Sequence, residues 1–229
     1  FGGLRDLREG VLRTPGSPSS SFGDDPLRML RAARFAAQLG FSVAPEVREA
    51  MTAMARRIEK VSPERIRVEL AKLMVAPGPR TGIELLVDTG LAAYILPEVP
   101  KLKLETDEHH RHKDVYEHSL TVLTQAAEIE ERYALSADLV VRLAALLHDI
   151  GKPETRRLLP GGRVAFHHHE VVGVAMARAR LRELRFPKSI VDDVARLVEL
   201  HLRFHGYGTG EWTDSAVRRY VRDAGPLLS

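Results

Sequence analysis

Apolar residues recur at helical spacing along most of the chain, and few stretches alternate as a half-buried strand would. In DDPLRMLRAARFAAQLG, Leu27, Leu30, Ala33 and Ala37 share a face and Gly40 marks the expected stop. Asp24 and Asp25 before Pro26 have the order of an acidic cap with proline in the first turn. The spacing predicts a second helix in PEVREAMTAMARRIEKV and a third in SPERIRVELAKLMV, with Ser62 as cap and Pro63 just inside. It predicts a fourth in RTGIELLVDTGLAAYIL, ending before Pro97, and a connection from there to about residue 107. Helical patterns return at 115–133, 138–150, 170–185, 188–205 and 214–223. Residues 1–13 read as a short strand-and-turn piece, TPGSPSSSFG as a linker, and RRLLPGGRVAFH as a turn or short hairpin. No internal repeat is visible. The expected fold class is all-α, in two helical modules that meet near residue 100.

Composition narrows the possibilities without naming a function. The 229 residues suffice for one large core or two smaller ones, and 44% hydrophobic with 28% charged residues is ordinary for a folded protein. No apolar run is long enough to span a bilayer and no signal peptide opens the chain, so no membrane partner is expected. There is no cysteine, which excludes disulfides, thiolate metal sites and cysteine nucleophiles and is compatible with a cytoplasmic location. Net charge is only +3, but arginine is much commoner than lysine, and its planar fork suits phosphate. The chain starts without methionine and stops inside the helical-looking AVRRYVRDAGPLLS, so it reads as a piece of a longer protein.

Ten histidines, falling between residues 109 and 205, are the unusual feature. In SIVDDVARLVELHLRFH, Ile190, Val194, Leu197, His201 and His205 follow helical spacing, which turns both histidines inward. Val115, His118 and Val122 share a face of an earlier helix. His148 and Asp149 end the apolar helix LVVRLAALLHD before Gly151, and FHHHE supplies His167, His168 and His169 with Glu170. His109, His110 and His112 lie in a charged stretch and read as solvated. Asp214 precedes the last helical pattern and could equally be its cap. One inward histidine is commonly a satisfied core residue. Several of them with an aspartate, on separate helices, would each bear a desolvation cost that a divalent metal relieves.

The order H…HD…H…H…D, with HDIGK intact, resembles the HD-domain superfamily of metal-dependent phosphohydrolases. The resemblance implies metal ligation by His118, His148, Asp149, His169, His201 and Asp214, Glu170 standing beside His169. It implies a catalytic centre of His148, Asp149 and His169, with Lys152 meeting a substrate phosphate. Bound divalent metal would lower the pKa of a water and screen phosphate charge. Manganese, nickel, cobalt, iron and magnesium all suit this ligand set, so the metal stays open.

A second resemblance covers residues 1 to about 100. GGLRDLREGVLRT, SFGDDPLRMLRAARFAAQLGF and SPERIRVELAKLM closely resemble bacterial class II tRNA nucleotidyltransferases and their poly(A) polymerase relatives. The resemblance implies that residues 1–14 end a catalytic head, that 15–100 are neck helices binding nucleotide and RNA, and that 101–229 are the HD domain. In such enzymes an acidic-Asp-x-x-Arg motif selects CTP or ATP by hydrogen bonds to the base. Here it is Asp24-Asp25-Pro26-Leu27-Arg28, with aspartate where the family more often has glutamate. Arg31 and Arg34 on the same helix are expected to support that pair or to reach phosphate. GGLRD superficially matches the opening of the head, but no D-x-D pair follows, so this stretch should not add nucleotides unaided. The implied partners are nucleotides and tRNA or another RNA 3′ end. Two readings of the second module stay open: a working phosphohydrolase, or an inactive scaffold in a chain that only binds nucleotide and RNA. A freestanding signalling-type phosphohydrolase would leave the neck motifs without purpose. CCA-adding and poly(A)-adding activity are not separable on these motifs.

Overall fold

The computed structural model describes residues 2–104, 114–160 and 164–204, with single positions 218, 222 and 225 beyond them. Helices α1 (Gly3–Glu9), α2 (Pro18–Asp24), α3 (Leu27–Leu39), α4 (Pro45–Met54), α5 (Pro63–Met74), α6 (Pro79–Asp88), α7 (Ala92–Ile95) and α8 (Glu98–Lys101) build the first half. The second half contains α9 (Val115–Arg132), α10 (Leu139–Leu147), α11 (Lys152–Thr155), α12 (His169–Glu183) and α13 (Lys188–Leu200). The described strands form only two ribbons. Strands β1 (Val11–Leu12) and β2 (Ser42–Val43) pair in parallel, and β3 (Arg157–Leu158) and β4 (Val164–Ala165) pair antiparallel. The fold is all-α, as the helical periodicity requires.

Several boundaries differ from the sequence expectation. Residues 1–13 hold β1, but ahead of it lies helix α1, whose Leu4 and Leu7 are exposed. A helix that buries nothing has no apolar period to betray it. The expected linker contains α2. Ser17 caps it by accepting from the Ser20 amide at 3.1 Å, Pro18 fits its first turn, and Phe22 drives into the core. Asp24 therefore closes α2 rather than opening α3. Asp25 instead turns its Oδ1 to the Leu27 amide at 3.2 Å. The second predicted helix changes to a 3-10 turn at Ala55–Lys60. The fourth breaks at Gly90, whose φ of 75° a helix cannot accommodate. Residues 98–104 are not a plain connection, because α8 and a 3-10 turn at Leu102–Leu104 bury Val99 and Leu102. α10 and α13 end at Leu147 and Leu200, before the histidines that their patterns include.

Buried apolar side chains from Phe22 to Val198 form one continuous cluster, so the two halves share a core. Polar ties reinforce it. Arg142, almost fully buried on α10, meets Glu130 of α9 at 2.7 Å and donates to the carbonyls of Met74 (2.9 Å) and Ala76. Arg180 of α12 reaches Glu98 of α8 at 2.9 Å, and Arg80 of α6 reaches Glu117 of α9 at 2.7 Å. One glycine decides how closely two segments pack. A Cβ on Gly151 would lie 2.2 Å from the His169 carbonyl oxygen and 2.7 Å from the Gly173 amide nitrogen. Only a residue without a side chain lets the turn after Asp149 rest on the start of α12.

Candidate metal centre and nucleotide-facing edge

The histidine cluster is assembled largely from helix ends. Asp138 starts α10 by accepting from the amides of Val140 and Val141, and the apolar run that follows is buried through Leu147. His148 stands at the C-cap, and Asp149 follows in the turn. His169 is the first residue of α12, entered through His168 in the left-handed conformation (φ 61°). His201 opens the 3-10 turn after α13, and His118 lies within α9.

All four histidines face the Asp149 carboxylate. Its Oδ2 is 3.1 Å from His148 Nε2 and 3.8 Å from His118 Nε2; its Oδ1 is 3.2 Å from His169 Nε2 and 3.6 Å from His201 Nε2. Two overlapping groups result, His118–His148–Asp149 and Asp149–His169–His201, with donor atoms within 4.8 Å of one another in each. His148, His169 and His201 direct Nδ1 at the carbonyls of Ala145, Phe166 and Val198, at 2.9, 2.8 and 2.6 Å. In a neutral ring, an Nδ1–H donating there leaves the lone pair on Nε2. The Nε2 atoms of His169 and His201 are 3.2 Å apart, so two lone pairs oppose each other unless a proton or a cation stands between them.

Burial opposes charge on both members of the central pair, yet their mutual attraction prevails. The Asp149 carboxyl is held well below the usual carboxylate range, and His148 is raised. His201 is lowered, chiefly by burial. Neutral imidazole with carboxylate suits a divalent ion, and these residues fit one. His118, His148, Asp149, His169 and His201 could hold it.

Lys152 is turned inward. Its Nζ lies 3.0 Å from Asp149 Oδ2 and it is 5% exposed, so it neutralises the carboxylate rather than extending into solvent. Glu170 Oε1 lies 3.8 Å from His168 Nδ1. His167 and His168 are exposed. Beside the cluster opens a cavity of about 770 Å³, lined by His118, His148 and His201 together with Val122, Ala126 and Leu197. His109, His110, His112, His205 and Asp214 lie outside the described residues.

The start of α3 is a different kind of site. Asp25 Oδ2 accepts from Arg65 Nη2 at 2.8 Å, while Arg28 Nη1 donates to the Ser21 hydroxyl (3.0 Å) and carbonyl (3.2 Å). Asp24 is mostly exposed, 4.0 Å from Arg28. Arg31 is exposed and lines two cavities flanking α3. One of about 360 Å³ also touches Arg28, Phe22 and Phe35; the other, about 400 Å³, touches Arg65 and Arg67. Arg34, expected to support the pair or reach phosphate, is buried instead. Its Nε lies 2.6 Å from Glu69 Oε2, its Nη1 donates to Gln38, and its guanidinium covers the Phe35 ring. Sequence reasoning missed Arg65, Glu69 and Ser21. Arg65 and Glu69 are four apart on one face of α5, which the spacing shows, but the partner of that face is not encoded locally.

Residues 115–224 match the family model described as HD domain. Residues 40–102 match the one described as "Probable RNA and SrmB- binding site of polymerase A". The chain is 37% identical over 213 residues to a multifunctional CCA protein of Neisseria gonorrhoeae (strain NCCP11945), covering 91% of this chain and 49% of that protein. It is 38% identical over 208 residues to the CC-adding tRNA nucleotidyltransferase of Thermus thermophilus, covering 87% and 47%. In fold it is similar to the Bacillus stearothermophilus CCA-adding enzyme in complex with CTP (TM-score 0.56, 23% identity, 98% of this chain and 46% of that one). Fold and matches define a helical chain with an HD domain behind a region of RNA-binding type. The chain belongs to the family of CCA-adding tRNA nucleotidyltransferases and their poly(A) polymerase relatives. It spans about half the length of the curated relatives it matches.

Proposed function

We propose that residues 15–100 are the neck of a CCA-adding type of tRNA nucleotidyltransferase and that 101–229 are its HD domain, a metal-dependent phosphohydrolase. The observation that carries the second part is the convergence of His118, His148, His169 and His201 on the buried Asp149. A bound divalent ion would supply an activated water and screen the phosphate charge there. Asp149 offers one oxygen to each group of histidines, and the three Nδ1 hydrogen bonds hold those rings with Nε2 inward. Lys152 balances the charge of Asp149 from within the cluster. The substrate class is a phosphate ester at an RNA 3′ end or on a small nucleotide, including 2′,3′-cyclic phosphates. Asp214 is the remaining candidate ligand, and Asp214→Ala belongs in the same variant series.

In the neck, Asp25 and Arg28 form the base-selecting edge. Cytosine and adenine each present an amine donor beside a ring-nitrogen acceptor. A carboxylate that only accepts and a guanidinium that only donates match that order and mismatch uracil and guanine. Arg31, between the flanking cavities, is placed to meet nucleotide or RNA phosphate.

The test is metal analysis of the purified chain with a phosphatase and phosphodiesterase panel. Stoichiometric metal and hydrolysis are expected, both lost in His148→Ala and Asp149→Ala. Hydrolysis unchanged by those substitutions overturns the proposal. One observation favours a second reading, an inactive scaffold: the Lys152 ammonium already compensates Asp149 without any ion. Under it no stoichiometric metal binds, while salt-sensitive tRNA affinity persists.

A further inference from the structure

We infer that the cavity beside the histidine cluster is the ester-group pocket of that site. It selects a small single-phosphate ester with an apolar or aromatic organic group over a phosphate carried at the end of an RNA strand. The inference rests on the reading of residues 101–229 as a metal-dependent phosphohydrolase, and it narrows the substrate class of that centre to its smaller members.

The cavity follows α9. His118 and Ile129 both line it and stand eleven positions apart on that helix, about 16 Å of axis. His148 and His201 line it too, so an ester whose phosphate rests on the cluster has this cavity beside it. The walls are apolar: Val122, Ala126 and Ile129 come from α9, Val141 from α10, Leu197 from α13, and Leu135 from the turn between α9 and α10. Ile129 is 49% exposed, Leu135 60% and Val141 40%, so large apolar side chains stand in water around a hollow that the histidines also line. At about 770 Å³ that hollow has the size of a ligand site, whereas gaps in a packed interior rarely exceed a water molecule. A packing defect does not account for it.

Charge decides between the two kinds of ester. Among the described residues that line the cavity there is no lysine or arginine, and besides the histidines the ionisable side chains are Glu130 and Asp138. Both carboxylates are committed. Glu130 meets Arg142 at 2.7 Å and accepts from the Asp138 amide at 2.9 Å, while Asp138 accepts from the amides of Val140 (2.7 Å) and Val141 (3.2 Å). An RNA strand laid along the cavity would bring further phosphates against these anions with no lysine or arginine on the walls to neutralise them. A neutral ring or aliphatic group carries no such charge and gains by leaving water.

The experiment is titration calorimetry on the manganese-loaded chain, comparing naphthyl phosphate, naphthol, inorganic phosphate and a short RNA bearing a 3′-phosphate. Naphthyl phosphate is expected to bind at least about tenfold more tightly than inorganic phosphate, the gain from burying an apolar ring system. The RNA is expected to bind no more tightly than inorganic phosphate. Ile129→Glu sets a charge on the cavity wall at a half-exposed position and should lower the ratio of naphthyl phosphate to inorganic phosphate affinity by about tenfold. Leu39→Glu, at a similarly exposed leucine on α3, should leave that ratio alone. If Ile129→Glu does not fold, Val141→Glu carries the test. With inorganic phosphate still bound, a ratio near one or a ratio untouched by the cavity variants overturns the inference and leaves the metal centre standing. So does RNA binding more tightly than naphthyl phosphate, or naphthol binding as tightly as its phosphate. Binding of neither metal nor inorganic phosphate removes the phosphohydrolase reading, and the role of the pocket with it.

Discussion

The two candidate sites hold charge in opposite ways. Around Asp149, four imidazoles and an ammonium gather on one carboxylate whose side chain is only 3% exposed. At the start of α3, Asp25 and Arg28 stay partly in solvent, Asp25 held by Arg65 and the Leu27 amide and Arg28 by Ser21. The first arrangement is costly unless its charges balance, because Asp149 and Lys152 are almost fully removed from water. The second costs little and holds hydrogen-bonding edges ready for something that arrives from solution. Depth of burial separates a cluster whose charges must be balanced within the protein from an edge whose hydrogen-bonding groups reach solvent.

That contrast can be broken or sharpened by substitution. The largest effect is expected at the most buried cation. Arg142→Ala strands Glu130 and the carbonyls of Met74 and Ala76, and should cost about 3–5 kcal/mol in urea unfolding. Asp149→Asn removes the group that both histidine sets share. Metal affinity, followed by titration calorimetry, should fall more than about 100-fold, since loss of mere supporting contacts in metal sites costs about 10–100-fold. His201→Ala, which disrupts one set, should cost less than Asp149→Asn. Gly151→Ala drives a Cβ into the backbone at His169 and Gly173 and should destabilise by about 1–3 kcal/mol, with weaker metal binding as His169 shifts. The smallest change in stability is expected for Arg65→Ala, no more than about 1 kcal/mol by thermal melting. A loss at Arg65 as large as that at Arg142 would erase the distinction between buried and exposed charge.

Much of the histidine–aspartate cluster is legible in the residue pattern alone. His118 shares a helical face with Val115 and Val122, and HD at the end of an apolar helix places His148 and Asp149 at a buried terminus. The inward position of His169 is not legible among His167, His168 and His169. Entry into α12 through a left-handed His168 decides which of the three turns inside, and that follows from packing against Gly151. Lys152 reads as a residue facing phosphate, but the short distance to Asp149 draws it inward. The Ser17–Pro18 start of α2 is a recognisable cap that its Pro/Gly/Ser surroundings obscure. Arg34 reads as a residue that supports the selecting pair or reaches phosphate, and only the arrival of Glu69 from α5 explains its burial.

By itself the sequence determined the all-α class, the residue types able to hold a divalent ion, and the kinship with CCA-adding enzymes. Periodicity and residue chemistry are local properties that any window of the chain displays. Tertiary structure decided which charges meet. Asp25 finds Arg65, Arg34 finds Glu69 and Arg142 finds the carbonyls after α5, across 35 to 68 positions of chain. Partners so far apart are chosen by the packing of one shared core, and helical spacing carries no record of that choice.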